Sequence, residues 1–564
     1  MSKKVLVVGG VAGGASAAAR LRRLEENTEI TIFERGPYVS FANCGLPYHI
    51  GGTIKDRDDL LLVMPKMFKY RFNIDVRIQN EVIKINREKK QIEVKDLNTH
   101  NNYIESYDKL ILSPGAEPTK PPIEGIDSGR IFTLRNVPDT DKINNFIKEN
   151  RPKRAVVIGA GYIGLEMAEN LREKGILVAV VEMLDQVLPL MDKEMSNYLC
   201  HELQNHNVAL WLNDAVMKFE QAGNQLTVGL KSGMQLSCDF AILAIGVRPE
   251  VKLAEQAGLE LGTSGGIKVN SNLQTSDPDI YAVGDAVEVQ DFILTKPVLI
   301  PLAGPANKQG RMAADNIAGK NRKYNGTQGT SILKVFDSTA ALTGASEKAL
   351  KKAGIDYEKI YLHPANHVGY YPGAKQMHIK LLFTKPEGII LGAQIVGSDG
   401  VDRRIDVIAV AIRAGLTVYD LQELELAYAP PFGSGKDAVN MAGFAASNVL
   451  DGTIDIVHWN QIVDGDYILD VRTANEFDKS NVPSSVNIPV DELRCRLSEL
   501  PKDTPINVYC AVGIRSYIAC RILMQHGFIA RNLSGGFITY CSHGNKEPLE
   551  KHTAQQLKDE FCLV

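Results

Sequence analysis

Three stretches of this chain carry residue types whose spacing can do chemistry. Gly159-Ala-Gly161-Tyr-Ile-Gly164 is a complete G-x-G-x-x-G. Glycines there permit a tight turn and let backbone N–H groups at a helix N-terminus approach a pyrophosphate. Glu182, 18 residues beyond Gly164, stands where an acid accepts hydrogen bonds from a ribose. A carboxylate there favours NADH, because it repels the 2′-phosphate of NADPH. A second turn, Gly9-Gly10-Val11-Ala12-Gly13-Gly14, has Val11 in place of the second glycine, with Glu34 twenty residues after Gly14 and Arg35 beside it. The stretch TSDPDIYAVGD from Thr275 ends in an Ala-Val-Gly-Asp turn that can set Asp285 on the ribityl or pyrophosphate part of a flavin. Together these predict FAD on the first turn and NADH or NADPH on the second. Finally, Cys510-Ala-Val-Gly-Ile-Arg515-Ser516 follows Val508-Tyr509. A cysteine that ends a strand before a short loop and a helix sits in a cradle of N–H groups, which stabilises a thiolate or an anionic persulfide. Arg515 adds positive charge to that loop.

These groups need rigid elements behind them, and the sequence supplies those elements. Val5–Val8 reads as a buried strand, Ala15–Glu26 as a small-residue helix and Ile30–Phe33 as a second strand. The same order returns at 155–158, through Lys174, and at 177–181. Two strand–turn–helix–strand units about 150 residues apart predict two Rossmann-like domains. From about residue 328 the texture changes to alternating strands and a helix over 403–414, which predicts an α+β domain. The expected division is 1–115 with 246–327 for FAD, 116–245 for NAD(P)H, 328–450 for the α+β domain, 456–541 for a last α/β module, and a polar, charged tail over 542–564 that forms a loose helix or is disordered.

Composition limits the function classes. The 564 residues include 44% hydrophobic and 23% charged residues, enough to fill several cores. With 63 basic and 67 acidic residues the net charge is −4, which gives no electrostatic case for nucleic acid or an anionic membrane. No apolar run approaches the ~20 residues of a membrane helix. Eight cysteines without paired spacing argue against a disulfide framework and for the cytoplasm. No His/Cys spacing suggests a metal. Trp211 and Trp459 read as packing residues.

With these motifs in place, residues 1 to about 445 resemble the pyridine nucleotide–disulfide oxidoreductase family, which implies FAD and a homodimer formed through the α+β domain. Many members carry two cysteines five positions apart. Here Ser40-Phe-Ala-Asn43-Cys44-Gly-Leu-Pro-Tyr-His49 has His49 at the second place, and the next cysteine is Cys200. A single thiol must cycle as a mixed disulfide, a sulfenic acid or a persulfide. A helix N-terminus is expected to stabilise the Cys44 thiolate. The motif narrows the resemblance to the single-cysteine branch: coenzyme A disulfide reductases, NADH oxidases and peroxidases, and persulfide reductases. By resemblance to the coenzyme A enzymes, Ser16, Arg20, Arg23, Ser40 and Asn43 match substrate-contacting positions. The matching lysine falls on Phe72, with Arg71 beside it as the substitute. Tyr371 and Tyr428, in His367-Val-Gly-Tyr-Tyr371 and Ala427-Tyr428, match tyrosines that reach the cysteine from the partner subunit.

The pattern DVR (470–472), EF (476–477) and Cys510-x-x-Gly-x-Arg515-Ser resembles the rhodanese domain, which implies that Cys510 accepts and passes on sulfane sulfur. The combined expectation is an FAD- and NAD(P)H-dependent reductase of coenzyme A persulfide, polysulfide or coenzyme A disulfide. Two alternatives remain open: an NADH oxidase or peroxidase working through a Cys44 sulfenic acid, and a non-catalytic sulfur carrier or sensor.

Overall fold

The computed structural model describes residues 2–545, 556 and 558–562. The chain forms two compact units, one of residues 1–183, 214–329 and 561–564, the other of 184–213 and 330–560.

In the first unit, five parallel strands lie in the order Ile280–Ala282, Lys109–Leu112, Lys4–Val8, Glu29–Glu34, Asp75–Ile78. Val5, Leu6 and Val7 are fully buried because a parallel sheet is covered on both faces. The helix Ala12–Arg22 covers one face and packs on the helix Ala303–Ile317. Gly310 makes that approach possible: a Cβ there would lie 2.2 Å from the Gly13 carbonyl oxygen. The second dinucleotide-type sheet pairs Leu177–Glu182, Arg154–Ile158, Phe240–Leu243 and Ile131–Phe132 in parallel, with the helix Tyr162–Glu173 following its glycine turn. Both Rossmann-like βαβ units thus stand where the glycine motifs predict them.

The second unit holds an antiparallel sheet ordered Ser331–Val335, Ser338–Gly344, Ile390–Gly397, Met377–Phe383, Glu358–Leu362. The expected helix spans Val401–Ala414, and a further helix over Ala438–Leu450 completes the α+β layer. Beyond it lies a parallel sheet ordered Ile456–Val457, Ala530–Leu533, Ile506–Tyr509, Tyr467–Asp470, Val486–Asn487, flanked by the helix Ile514–Gln525. The edge strand Glu358–Leu362 ties this module to the antiparallel sheet. The Tyr361 N–H donates to Ser534 Oγ at 3.1 Å, His458 Nε2 lies 3.2 Å from Glu358 Oε1, and His363 Nε2 lies 2.8 Å from Thr539 Oγ1.

A buried ion cluster anchors the same unit. Lys380 has no exposed surface, and its Nζ lies 2.8 Å from Asp192, 2.5 Å from Glu194 and 2.7 Å from Glu347. Its three N–H donors match three carboxylates, so the ammonium fills the place a metal ion would take among these acids.

Two parts of the tail are packed. Ser542 is buried, and its hydroxyl donates to the Thr539 carbonyl. Near the end of the chain, Phe561 is only 2% exposed. Its carbonyl accepts the Ser237 N–H at 2.7 Å, and Cys562 bridges Leu236 on the strand Gln235–Cys238. The remaining tail positions, 546–555, 557 and 563–564, lie outside the described residues. Among the described residues, no helix is long and apolar enough to cross a membrane.

Candidate active sites

The first glycine turn is tight enough to admit only glycine at its ends. Gly9 has φ +91°, and a Cβ there would lie 2.0 Å from the Ser113 carbonyl oxygen; one on Gly14 would lie 1.9 Å from the Gly9 oxygen. The helix that follows has Val11 at its N-cap, no side-chain cap and no acid in its first turn, so its leading N–H groups are left for an anion. Ala12 opens that helix and Gly13 packs beneath it. Glu34 braces the turn, one oxygen accepting the Gly10 N–H at 2.9 Å and the other the Gly36 N–H at 2.8 Å. Arg35 pairs with Glu250, and Asp285 follows Gly284 (φ +87°) with its carboxylate 2.9 Å from Arg135 Nη2. This donor-rich turn, with an acid at each side, fits the dinucleotide half and polar chain of FAD.

The second turn repeats the design. Gly159 (φ +98°) and Gly164 could not carry a Cβ, which would lie 2.4 Å from the Ala244 oxygen and 2.0 Å from the Gly159 oxygen. Gly161, the N-cap, faces open space instead, where a phosphate can come up to the backbone. This helix too lacks a side-chain cap and a first-turn acid. Glu182 is nine-tenths buried at the end of its strand, with Oε2 accepting the Ala160 N–H at 2.8 Å. These residues fit a nicotinamide dinucleotide.

Cys44 lies in the turn Asn43–Gly45, directly before the short helix Leu46–Gly51, and is exposed. The expected thiolate stabilisation is not what the protein chain alone provides. Desolvation, reinforced by the carboxylates of Glu166 and Asp285, pushes the thiol above its ordinary value, and Arg135 only partly opposes them. A six-residue helix adds little field of its own. Glu166 itself is driven up to about 7 by burial, with Glu169 adding to the effect and a weak hydrogen bond from Tyr48 (3.4 Å) working against it. Next to Cys44, Asn43 has a buried Oδ1 with no hydrogen-bond partner, an acceptor left open beside the thiol. Ser40, at φ +49°, holds the chain in a left-handed kink, with its N–H on the Gly10 oxygen and its carbonyl accepting from Leu62.

The other residues matched to the coenzyme A enzymes are spread over the helix Ala12–Arg22 and beyond. Ser16 Oγ donates to Asn307, and Arg20 Nε donates to Asp315 at 2.7 Å, so that guanidinium is partly committed. Arg23 is exposed. Arg71 is exposed on the helix Pro65–Phe72, whereas Phe72 packs into the core with Phe68. In the second unit, Tyr371 is 41% and Tyr428 47% exposed. The Tyr428 hydroxyl lies 2.9 Å from that of Tyr370, an exposed neighbour the motif reading passed over, and this bond raises the Tyr428 phenol. Tyr371 stands edge-on to His367.

Around Cys510 the loop supplies one backbone N–H and one hydroxyl to the sulfur. The sulfur accepts the Gly513 N–H at 3.1 Å and lies 3.6 Å from Ser516 Oγ. Gly513 has φ +105°, which turns that N–H toward the thiol. Arg515 is held in a two-pronged pair with Glu476, both contacts 2.7 Å, and Glu476 in turn caps the helix Ala474–Lys479 with Thr473. Arg472 is locked on Asp470 and lies over the Phe537 ring.

Sequence reasoning did not single out Glu166, Tyr48, Arg135, Asn307 or Tyr370. For Glu166 a signal was present, since it lies two residues past Gly164 on the helix that opens with the glycine motif. The partners of Asp285 and Ser16 are 150 and 291 residues away in sequence and left no local trace.

Comparison with known proteins gives consistent results. The model for the pyridine nucleotide-disulphide oxidoreductase family matches residues 3–310, that for its dimerisation domain 330–438, and that for the rhodanese-like domain 457–543. A coenzyme A disulfide reductase of Staphylococcus haemolyticus is 40% identical over 448 residues, covering 79% of this chain and all of that protein. Among solved structures, reduced Bacillus anthracis CoADR-RHD is 51% identical with TM-score 0.94, covering all of both chains. A NAD-dependent persulfide reductase from A. fulgidus is 37% identical with TM-score 0.91, covering 95% of this chain and 100% of that one.

Proposed function

Because the chain belongs to the pyridine nucleotide-disulphide oxidoreductase family, and is therefore an FAD- and NAD(P)H-dependent oxidoreductase, we propose that it reduces a coenzyme A persulfide or polysulfide, or coenzyme A disulfide, through Cys44. The observation that carries this reading is the presence in one chain of two thiols in differently built sites. Cys44 lies exposed near the flavin-type turn, and Cys510 lies in an N–H cradle suited to a persulfide anion. A thiol-pool reductase has no use for the second, and a scaffold has no use for both.

The nucleotide turns hold FAD at Gly9–Gly14, Glu34 and Asp285, and NADH at Gly159–Gly164 and Glu182. FAD, when bound, supplies the means of passing an electron pair from NADH to a sulfur–sulfur bond. The chain's own residues do the rest. Cys44 attacks the persulfide or disulfide as a thiolate, forms a mixed disulfide with one half and releases the other as sulfide or thiol. The free Asn43 carbonyl oxygen accepts a hydrogen bond from the bound substrate, and Arg23 and Arg71 offer charge to its phosphates. Arg20 contributes only in part, since Asp315 shares it. For a persulfide the balance is RSSH + NADH + H⁺ → RSH + H₂S + NAD⁺. Cys510 brings sulfane sulfur to the carrier thiol.

The chain acts as a homodimer in this reading, with Tyr371 and Tyr428 of each subunit completing the other's Cys44 site. The exposure of Phe432 (69%) and Val410 (67%) within the dimerisation domain supports such a face. The domain limits follow the motifs: 1–115 with 246–327, 116–245, 328–450 and 456–541.

The test is anaerobic NADH oxidation with coenzyme A persulfide and with coenzyme A disulfide, with sulfide detection, for wild type and Cys44→Ser. Persulfide turnover that releases sulfide and requires Cys44 supports the proposal. Full turnover by Cys44→Ser refutes the mechanism. NADH oxidation that tracks oxygen uptake and gains nothing from persulfide points to the sulfenic acid cycle of an oxidase.

A further inference from the structure

A thin ribbon carries the chain between the two nucleotide-type folds of the first unit. Ala116–Pro118 pairs antiparallel with Val247–Pro249, and each strand begins after a glycine of positive φ, Gly115 at +80° and Gly246 at +103°. The Glu250 N–H donates to the Gly115 carbonyl and the Thr119 N–H to the Gly246 carbonyl. A two-stranded pair is marginal by itself, so side chains must fix the angle between the folds. That angle matters, because a hydride passing from a nicotinamide on the second turn to a flavin on the first needs its two atoms held about 3–3.5 Å apart. Arg57 supplies a two-pronged tie across the boundary. It opens the turn Arg57–Leu60 of the first fold, and its Nε and Nη2 donate to the two carboxylate oxygens of Asp141, both at 2.7 Å, on the helix Val137–Asn150 of the second. Nη2 also donates to the Tyr38 hydroxyl at 2.7 Å, and the guanidinium lies 5.0 Å from the centre of the Tyr38 ring. Both ends of this tie lead toward reacting groups. Tyr38 stands two residues before Ser40, whose N–H donates to the Gly10 carbonyl of the first glycine turn. At the end of the Arg57 turn, the Leu60 carbonyl accepts the Ala42 N–H, two residues before Cys44. The helix Leu46–Gly51 packs on Val137–Asn150 and on Tyr162–Glu173, where a Cβ at Gly51 would lie 2.0 Å from Asn170 Oδ1. The Arg135–Asp285 pair crosses the same boundary, but Asp285 also serves the flavin site. Arg57, Asp141 and Tyr38 have no part in either nucleotide turn.

We infer that Arg57, with Asp141 and Tyr38, is a positioning residue for the NADH step: it sets the second fold over the first so that the nicotinamide meets the flavin, and it grips the Cys44 strand at the same time. A planar guanidinium bound at two prongs and lying on a ring fixes orientation as well as distance. The Arg57 and Asp141 side chains are 32% and 33% exposed, so the tie is modest in energy. Its importance lies in where it acts. Without it the folds pivot about Gly115 and Gly246 and spend less time aligned, so the hydride step slows although each nucleotide still binds. The inference concerns the NADH step alone, and it stands or falls independently of which sulfur compound meets Cys44.

The experiment uses the FAD-loaded full-length protein without oxygen, as wild type, Arg57→Gln, Asp141→Asn and the double variant. Flavin reduction by NADH is followed by stopped-flow absorbance, with dithionite as a reductant that needs no second fold. Each single variant should lower the saturating rate with NADH about fivefold, ~1 kcal/mol in activation free energy and the upper range for a partly exposed pair. The NADH concentration for half-saturation, the rate with dithionite and the FAD content should each stay within about twofold of wild type. The double variant should be no slower than the slower single, since all three remove one pair. Amide hydrogen exchange of the FAD-loaded protein without NADH, read on peptides containing Thr119 and Glu250, should be about fivefold faster in Arg57→Gln and so report the pivot apart from turnover. NADH rates within about twofold of wild type in both singles overturn the inference. Equal slowing with dithionite overturns it as well, because the defect would then lie in the flavin site. Losses that multiply in the double variant also overturn it, since they would come from two unrelated contacts.

Discussion

Replacing Lys380 with methionine should destabilise the second unit at neutral pH and nearly cease to matter in acid. The ammonium is fully buried within 2.8 Å of three carboxylates, so the variant leaves Asp192, Glu194 and Glu347 facing one another without their shared cation. Removing one partner of a buried pair costs about 3–5 kcal/mol. An independent route gives the same size. Although burial alone would raise Glu194, Lys380 and the Tyr361 hydroxyl bring it down to about 2 from 4.5, which corresponds to about 3 kcal/mol. The sign follows from the direction. A carboxyl held low in the folded state contributes stability above its unfolded value, and that stability is lost as pH falls from about 4.5 toward 2. The gap between wild type and variant should therefore be largest near pH 7, shifting the thermal transition by about 6–12 °C at ~2–4 °C per kcal/mol, and should close below pH 4. Fluorescence of the buried Trp459 in the holoprotein follows the transition. Neutralising the cluster together, with Asp192→Asn, Glu194→Gln and Glu347→Gln on the Lys380→Met background, should recover much of the loss. A variant within about 1 kcal/mol of wild type at pH 7, or a gap that widens in acid, would refute the reasoning.

Three further outcomes are expected. Glu182→Ala should lower kcat/KM for NADH about ten- to a hundredfold, the worth of a charged hydrogen bond, while NADPH loses less; equal losses for both would place Glu182 away from the ribose. Glu166, raised to about 7 chiefly by burial, costs folding stability as pH climbs from 4.5 to 7, because only the unfolded chain ionises freely. Glu166→Gln should therefore stabilise the holoenzyme by up to about 3 kcal/mol at pH 8 and leave it unchanged at pH 4, read from melting temperature across that range. Deleting residues 561–564 should cost the first unit about 1.5–3 kcal/mol, the burial of one phenylalanine, and unchanged thermal unfolding of that unit would show that Phe561 does no anchoring.

The nucleotide sites were readable because their constraints are local. A positive φ at Gly9 and Gly159, and helix starts that touch the preceding strand, demand glycine within a few residues of an apolar run. The Cys510 cradle was readable for the same reason, since Gly513 lies three residues from the sulfur it serves. What escaped depends on side chains joined across long loops. Lys380 finds Asp192 from 188 residues away, Arg135 reaches Asp285 from 150, and Arg515 reaches Glu476 from 39. The loop cation Arg515 looks in sequence like a ligand for substrate, and only the fold shows that its guanidinium also holds Glu476. Cys44 illustrates a second limit. A cysteine before a helix suggests a lowered thiol, but desolvation raises it instead, and the carboxylates of Glu166 and Asp285, distant in sequence, add to that.

The seated Phe561 changes how the chain should be thought of as a polymer. A module appended at a C-terminus ordinarily hangs from one covalent link, and its freedom grows with that linker. Here the path leaves the first unit after Gly329 and comes back to it at Phe561, so the 231 residues of 330–560 form a loop pinned at both roots. Closing a loop of that size carries an entropic cost that rises only with the logarithm of its length, so the second root is inexpensive for the stability it adds.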